Sequence, residues 1–340
     1  MTLIRPTPPS AGARGRPGPG PGTGRAVAVL ALVALAALIP LLGPSPALRG
    51  TGEAQAPGSG GIALLRAVLF AALAVPLGEL FAGRLARSLP GAAPAAPRGW
   101  SVPAAVVGFG AALGLASVVA TGNLVPGGLA DIDVGGLYAT RDGKLALLEV
   151  NAFLVAGLCA ASGRPGTRVW PLAAVVVAEA LRAHPPTEQS PLLGSGLTLL
   201  HLTCASLWVG GLLHVLRVLA RWRGAGADAG AGAALLGRYA RVAAGLLAVI
   251  TATGVCSSLR RMPAGSLLGQ LTDTAYGRVL LAKVLLVAAV AALALWARIR
   301  LGRAPDPLAA CTPARAEVAV LGVVVAVSGL LTALPVPIRW

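Results

Sequence analysis

The sequence predicts an all-α polytopic membrane protein with about nine transmembrane helices. One N-terminal helix is followed by two parallel four-helix repeats. Three observations predict this. Only 12% of the residues are charged, about half the ~25% of a soluble domain. Mean hydropathy is +0.78. Nine apolar runs, at 26–43, 62–83, 102–121, 145–162, 169–183, 195–216, 237–258, 277–297 and 317–334, each approach the ~20 residues that span a bilayer. No sustained period-2 alternation supports strands.

The elements follow in order. Residues 1–25 are rich in Pro and Gly and hold four Arg and no acid, which reads as a disordered basic cytoplasmic tail. Residues 26–43 read as the first transmembrane helix. A signal peptide is the alternative, given the small residues around Ser45, Pro46 and Ala47. Either way residue 50 lies outside. Residues 62–186 then form the first four-helix repeat and 187–340 the second.

Net charge is +16. In a soluble chain that would suggest nucleic acid. Here the basic residues lie between apolar runs and report topology, so no nucleic-acid partner is expected and the lipid bilayer is the surrounding medium. The N-terminal tail and every second connection after it hold 18 Arg, whereas the alternate segments hold six Arg or Lys. That bias places the N-terminus in the cytoplasm and the C-terminus outside.

The repeat is written in landmarks. YATRDGKLALLEV at 138–150 parallels TDTAYGRVLLAKV at 272–284, aligning Gly143 with Gly277, Lys144 with Arg278 and Glu149 with Lys283 at an offset of 134. Thr121-Gly122 and Thr253-Gly254 end the helices before them. Four crossings per copy is an even number, so the copies share one orientation, and sites are expected at their interface.

Within 201–214, HLTCASLWVGGLLH, polar and soft side chains interrupt an apolar helix. Intramembrane polar groups are costly and mark functional candidates. His201 and Cys204 share a face at i and i+3, and Trp208 continues it at i+7. His184, Cys256 and Met262 fall on the same outer side. Imidazole, thiolate and thioether are donors that suit copper, as Cu(I) or Cu(II). The candidate metal ligands are therefore His184, His201, Cys204, Cys256 and Met262. Trp208, Glu149, Lys283 and Glu179 are supporting residues. Glu149 and Lys283 are expected to pair across the repeats, or else to face a wet cavity. Glu179 and Arg182 form a polar cluster near His184. Arg66 and Glu79 are expected to snorkel toward opposite surfaces. Gly210-Gly211 suits close helix approach.

His201 and His214 point about 220° apart on one helix, so they cannot serve two stacked haems. A single haem would need His184 with His201. His214 reads as an interfacial residue. Cysteines at 159, 204, 256 and 311 show no paired spacing, so no disulfide framework is expected. No phosphate loop, zinc-protease motif or nucleophile elbow is present, and no enzyme is predicted.

Residues 184–335 resemble the copper-resistance protein D (CopD) family of bacterial inner-membrane proteins. The landmarks are His184, His201 with Trp208 seven residues on, Gly210-Gly211, RYARVAAGLLAVITATG at 238–254 and TDTAYGRVLLAKV at 272–284. The resemblance implies copper movement across the bacterial cytoplasmic membrane, usually uptake. It also implies a metal role for His184 and His201, and an extracytoplasmic copper-binding CopC-like partner. No outer segment is long enough for a fused β-sandwich of that kind. The alternatives are a membrane b-type cytochrome-like redox protein and a non-transporting copper-homeostasis partner.

Overall fold

Twelve α-helices and no strand occur among the described residues, which in the computed structural model are 21–89, 96–122, 124–162, 164–224, 229–262, 264–303 and 311–336. The predicted tail up to residue 20 lies outside them. The N-terminal helix α1 (Pro21–Leu42) starts five residues before the predicted position, and a short α2 (Pro44–Leu48) follows. The remaining predicted runs become α3 (Ser59–Arg87), α4 (Ser101–Ala120), α6 (Arg141–Ala161), α7 (Val169–Arg182), α8 (Pro191–Gly224), α9 (Ala229–Arg261), α11 (Ala275–Arg303) and α12 (Cys311–Leu331). Seven helices are long and apolar enough to cross a membrane: α3, α4, α6, α8, α9, α11 and α12. At 14 residues α7 is about 21 Å long, short of the ~30 Å hydrocarbon core.

Two short helices absent from the sequence reading lie before α6 and α11: α5 (Val134–Ala139) and α10 (Leu267–Asp273). Both junctions are built alike. The Thr140 hydroxyl accepts from the Gly143 amide at 3.1 Å and donates to the Gly136 carbonyl at 3.0 Å. The Thr274 hydroxyl accepts from the Gly277 amide at 3.0 Å and donates to the Gln270 carbonyl at 2.7 Å. Each threonine caps the long helix and closes the short one. The glycine is needed in each case. A Cβ would fall 2.4 Å from the Leu137 carbonyl oxygen at Gly143, and 1.9 Å from that of Gln270 at Gly277.

Helices α3 and α8 cross at the centre, backbone against backbone. A Cβ on Gly78 would lie 2.0 Å from the Gly210 carbonyl carbon, and one on Gly210 would lie 1.9 Å from the Ala74 carbonyl oxygen. Small residues permit such crossings in lipid. Around this axis α3 packs on α4 and α8 on α9; α6 packs on α7 and α11 on α12; α7 packs on α8 and α12 on α3. One pair breaks the correspondence. Helices α4 and α6 pack closely, with Phe153 buried over Gly108, whereas α9 and α11 do not pack on each other.

Side-chain contacts define two ends. At the His184 end, Arg141 donates to the Leu181 carbonyl, Arg260 to that of Ser190 and Arg261 to the Tyr276 hydroxyl. At the His214 end, Arg238 donates to the Ser88 carbonyl and Arg217 to that of Arg98.

Candidate functional site

A cavity of about 440 Å³ opens between the two groups of helices near the His184 end. Its wall takes Arg66 from α3, Glu179 and Arg182 from α7, His201 from α8, and Tyr276 and Lys283 from α11. Hydroxyls of Thr198, Ser257, Ser258 and Ser328 complete the polar part.

The buried charges are organised around the last turn of α7. Arg66 Nη1 meets Glu179 Oε2 at 2.6 Å, and Arg182 Nη2 meets Glu179 Oε1 at 2.6 Å. Arg182 Nη2 also lies 3.0 Å from Glu149 Oε2. This corrects two expectations. Glu149 pairs with Arg182 rather than Lys283, because α7 stands against α6 and brings the guanidinium to it. Arg66 does not snorkel; it turns inward to a carboxylate 113 residues away in the chain. Lys283 has no hydrogen-bond or ion-pair partner among the described residues and faces the cavity. With Arg261, it gives the wall more positive than negative groups.

His201 is the imidazole presented to this space. Its Nδ1 lies 2.9 Å from Thr253 Oγ1 on α9. That hydroxyl already donates its one proton to backbone carbonyls, at 2.7 Å to Val249 and 3.1 Å to Ile250. The shared proton must then come from His201 Nδ1, which leaves the lone pair on Nε2. A ring whose tautomer is fixed by a neighbour is a prepared metal ligand.

His184 is 3% exposed and differently employed. Its Nδ1 lies 2.6 Å from Glu188 Oε2 and its Nε2 lies 3.0 Å from Thr198 Oγ1. Gly194 packs on the ring, where a Cβ would sit 2.4 Å from Nδ1. Both nitrogens are engaged, which leaves neither free to share a haem with His201. Through Thr198 the ring holds the α8 turn that carries His201, three residues on.

The other predicted ligands are not gathered here. Cys204 packs partly buried against the core of α8 and α9, Cys256 is exposed, and Met262 is fully buried. No group of three or more His, Cys, Asp or Glu side chains suited to a metal occurs among the described residues. Trp208, 4% exposed, forms the floor of the cavity about 10 Å below His201 along α8.

A second polar cluster lies at the His214 end. Glu79 accepts from the Trp100 amide at 3.0 Å and from Ser101 Oγ at 2.9 Å, and meets Arg168 at 3.3 Å. His214 is 2% exposed, with Nε2 2.9 Å from Arg217 Nη1 and 3.5 Å from Glu79 Oε2. So Glu79 does not snorkel, and His214 turns into the bundle. They tie α3 to α8 where both helices carry inward polar groups.

Residues 233–331, spanning most of α9 to α12, match the family model CopD, copper resistance protein D. That stretch is similar to the CopD family. No curated protein and no solved structure matches the chain. The CopD match covers Thr253, Tyr276, Lys283 and Ser328, so much of the cavity wall belongs to it. Seven helices among the described residues are long and apolar enough to cross a membrane, and the last part of the chain is similar to a copper-resistance family. The sequence reading missed the shared role of Arg66 and Glu179. Their signal was present, as charged residues inside apolar runs, Arg66 with no acid near it in the chain.

Proposed function

We propose that this CopD protein moves copper across the bacterial cytoplasmic membrane, with His201 as its imidazole station and the His184 end facing outward. The observation that carries the reading is the imidazole of His201, with Nε2 unpartnered among the described residues in a cavity whose wall is in part that of the CopD-matched helices. Imidazole accepts copper in either oxidation state. The surplus of positive charge on the wall opposes a long-lived cation there, which fits a station for passage rather than storage. His184 supports the site by positioning Thr198 and the first turns of α8. The 18-to-6 bias in basic residues supports the orientation and a cytoplasmic N-terminus. The proposal takes the direction as uptake toward the cytoplasm, as the family resemblance implies, with an extracytoplasmic copper-binding protein as donor at the His184 end. Duplication of a four-helix unit accounts for the twin threonine caps at an offset of 134 and for the paired packing about α3 and α8.

The test is copper accumulation in cells expressing the wild type or His201→Ala at matched membrane levels. The proposal expects accumulation above vector control for the wild type and loss of that increment in the variant. Equal accumulation in both would remove His201 from the path.

A further inference from the structure

The break in the pseudo-symmetry has a location. In the first half, α4 and α6 close on each other around Phe153. In the CopD half, α9 and α11 stand apart, and a second cavity of about 1030 Å³ lies between them toward the His214 end. Its wall is mainly apolar, with Arg238, Arg241 and Arg298 near its mouth. The His201 cavity lies at the opposite end, with α3, α7 and α8 on its wall as well as α9, α11 and α12. Trp208 lines both spaces. The indole is buried, and its backbone carbonyl accepts the Tyr239 hydroxyl at 2.7 Å, which fixes this turn of α8 to α9.

Inside the second cavity stands a carboxylate that no sequence motif singled out. Glu317 on α12 is 5% exposed, lines the cavity and has no hydrogen-bond or ion-pair partner among the described residues. An isolated intramembrane acid is expensive and is retained where an ion or proton passes. Every other acid in the buried part of the bundle has a cationic neighbour: Glu149 and Glu179 have Arg182, and Glu79 has Arg168.

We propose that the two cavities are halves of one passage between α8 and the helices α9, α11 and α12, closed at Trp208, and that Glu317 is the carboxylate station that receives the copper cation beyond that closure. This rests on the copper-transport reading above. A cation leaving the imidazole enters an apolar chamber where no water-like environment compensates its charge. The carboxylate supplies the counter-charge and an oxygen donor, with no change of oxidation state between the two stations. The first half cannot provide an equivalent chamber, because Phe153 and the α4–α6 contact fill the corresponding gap.

The experiment measures copper flux into chelator-loaded proteoliposomes, alongside copper binding and thermal melting of the same purified variants. Glu317→Gln is expected to lower flux about tenfold or more, equivalent to ~1.4 kcal/mol on the barrier. Copper binding governed by His201 should stay within about twofold, a difference well under that tenfold step. Glu317→Asp, which keeps the carboxylate, restores most of the flux. Trp208→Ala makes the vesicles leaky to protons. Wild-type flux in Glu317→Gln overturns the station, as does equal loss in the Gln and Asp variants at unchanged melting. Tight vesicles with Trp208→Ala overturn the closure. No flux above empty liposomes for the wild-type protein instead refutes the transport reading itself.

Discussion

Replacing Glu179 with glutamine should destabilise the protein by about 3 kcal/mol. The carboxylate joins two guanidinium groups, at 2.6 Å from Arg66 and 2.6 Å from Arg182. After the change Arg182 still has Glu149 at 3.0 Å, but Arg66 has no other carboxylate partner among the described residues. Arg66 Nε, Arg182 Nε and Arg182 Nη1 are already buried without hydrogen bonds, and the Glu149 oxygens, the buried acceptors there without hydrogen bonds, lie beside Arg182. Breaking a buried pair by removing one partner costs about 3–5 kcal/mol. The Arg66 side chain is 21% exposed, toward the cavity, so the lower end of that range applies. The same reasoning predicts partial recovery in Arg66→Met/Glu179→Met, where no lone charge remains and two apolar side chains fill the space. The assay is equilibrium unfolding in detergent, followed by helical circular dichroism. A single variant within about 0.5 kcal/mol of wild type, the scale of a neutral surface change, would refute the reasoning. So would a double variant no more stable than the single one.

Other expectations follow from the same geometry. Gly210→Ala forces a methyl carbon to within 1.9 Å of the Ala74 carbonyl oxygen, so α3 and α8 must separate, at about 1–3 kcal/mol, read by the same unfolding assay. Thr253→Val keeps the shape beside His201 but removes the acceptor that fixes its tautomer. Copper affinity of the purified protein should fall roughly 10–100-fold, measured by competition with a chelator, while melting changes little. Lys283→Met removes an unpartnered positive charge from the cavity wall, and copper should bind about tenfold more tightly in that competition, a gain of ~1.4 kcal/mol.

Much of the architecture was legible because hydropathy is a local property. The apolar runs mark the helices to within a few residues, except where α8 and α11 run on into basic ends such as Arg221, Arg223 and Arg303 and where α9 and α12 start early, at Ala229 and Cys311. Gly210 was legible for the same reason, as a small residue in an apolar helix. Pairings across the bundle were not. Nothing near Arg66 in the chain names Glu179 as its partner, and the expected Glu149–Lys283 pair assumed that matching positions in two copies must meet. They do not, because α7 supplies Arg182 to Glu149 first. Glu317 was overlooked because a single acid near a helix start reads as a boundary residue. Its cavity exists only because α9 and α11 diverge, a tertiary property. Depth alone joins Cys256 and Met262 to His201, and depth leaves the azimuth free: Cys256 is exposed and Met262 takes a buried loop position, while Cys204, joined by its i+3 spacing, packs against the core of α8 and α9.

The most direct measurement is copper flux into chelator-loaded proteoliposomes carrying wild-type protein or His201→Ala, inserted with the His184 end outward. The account predicts copper-dependent uptake above empty liposomes for the wild type and its loss in His201→Ala, at equal insertion and unchanged melting. Uptake by His201→Ala at the wild-type rate would contradict it.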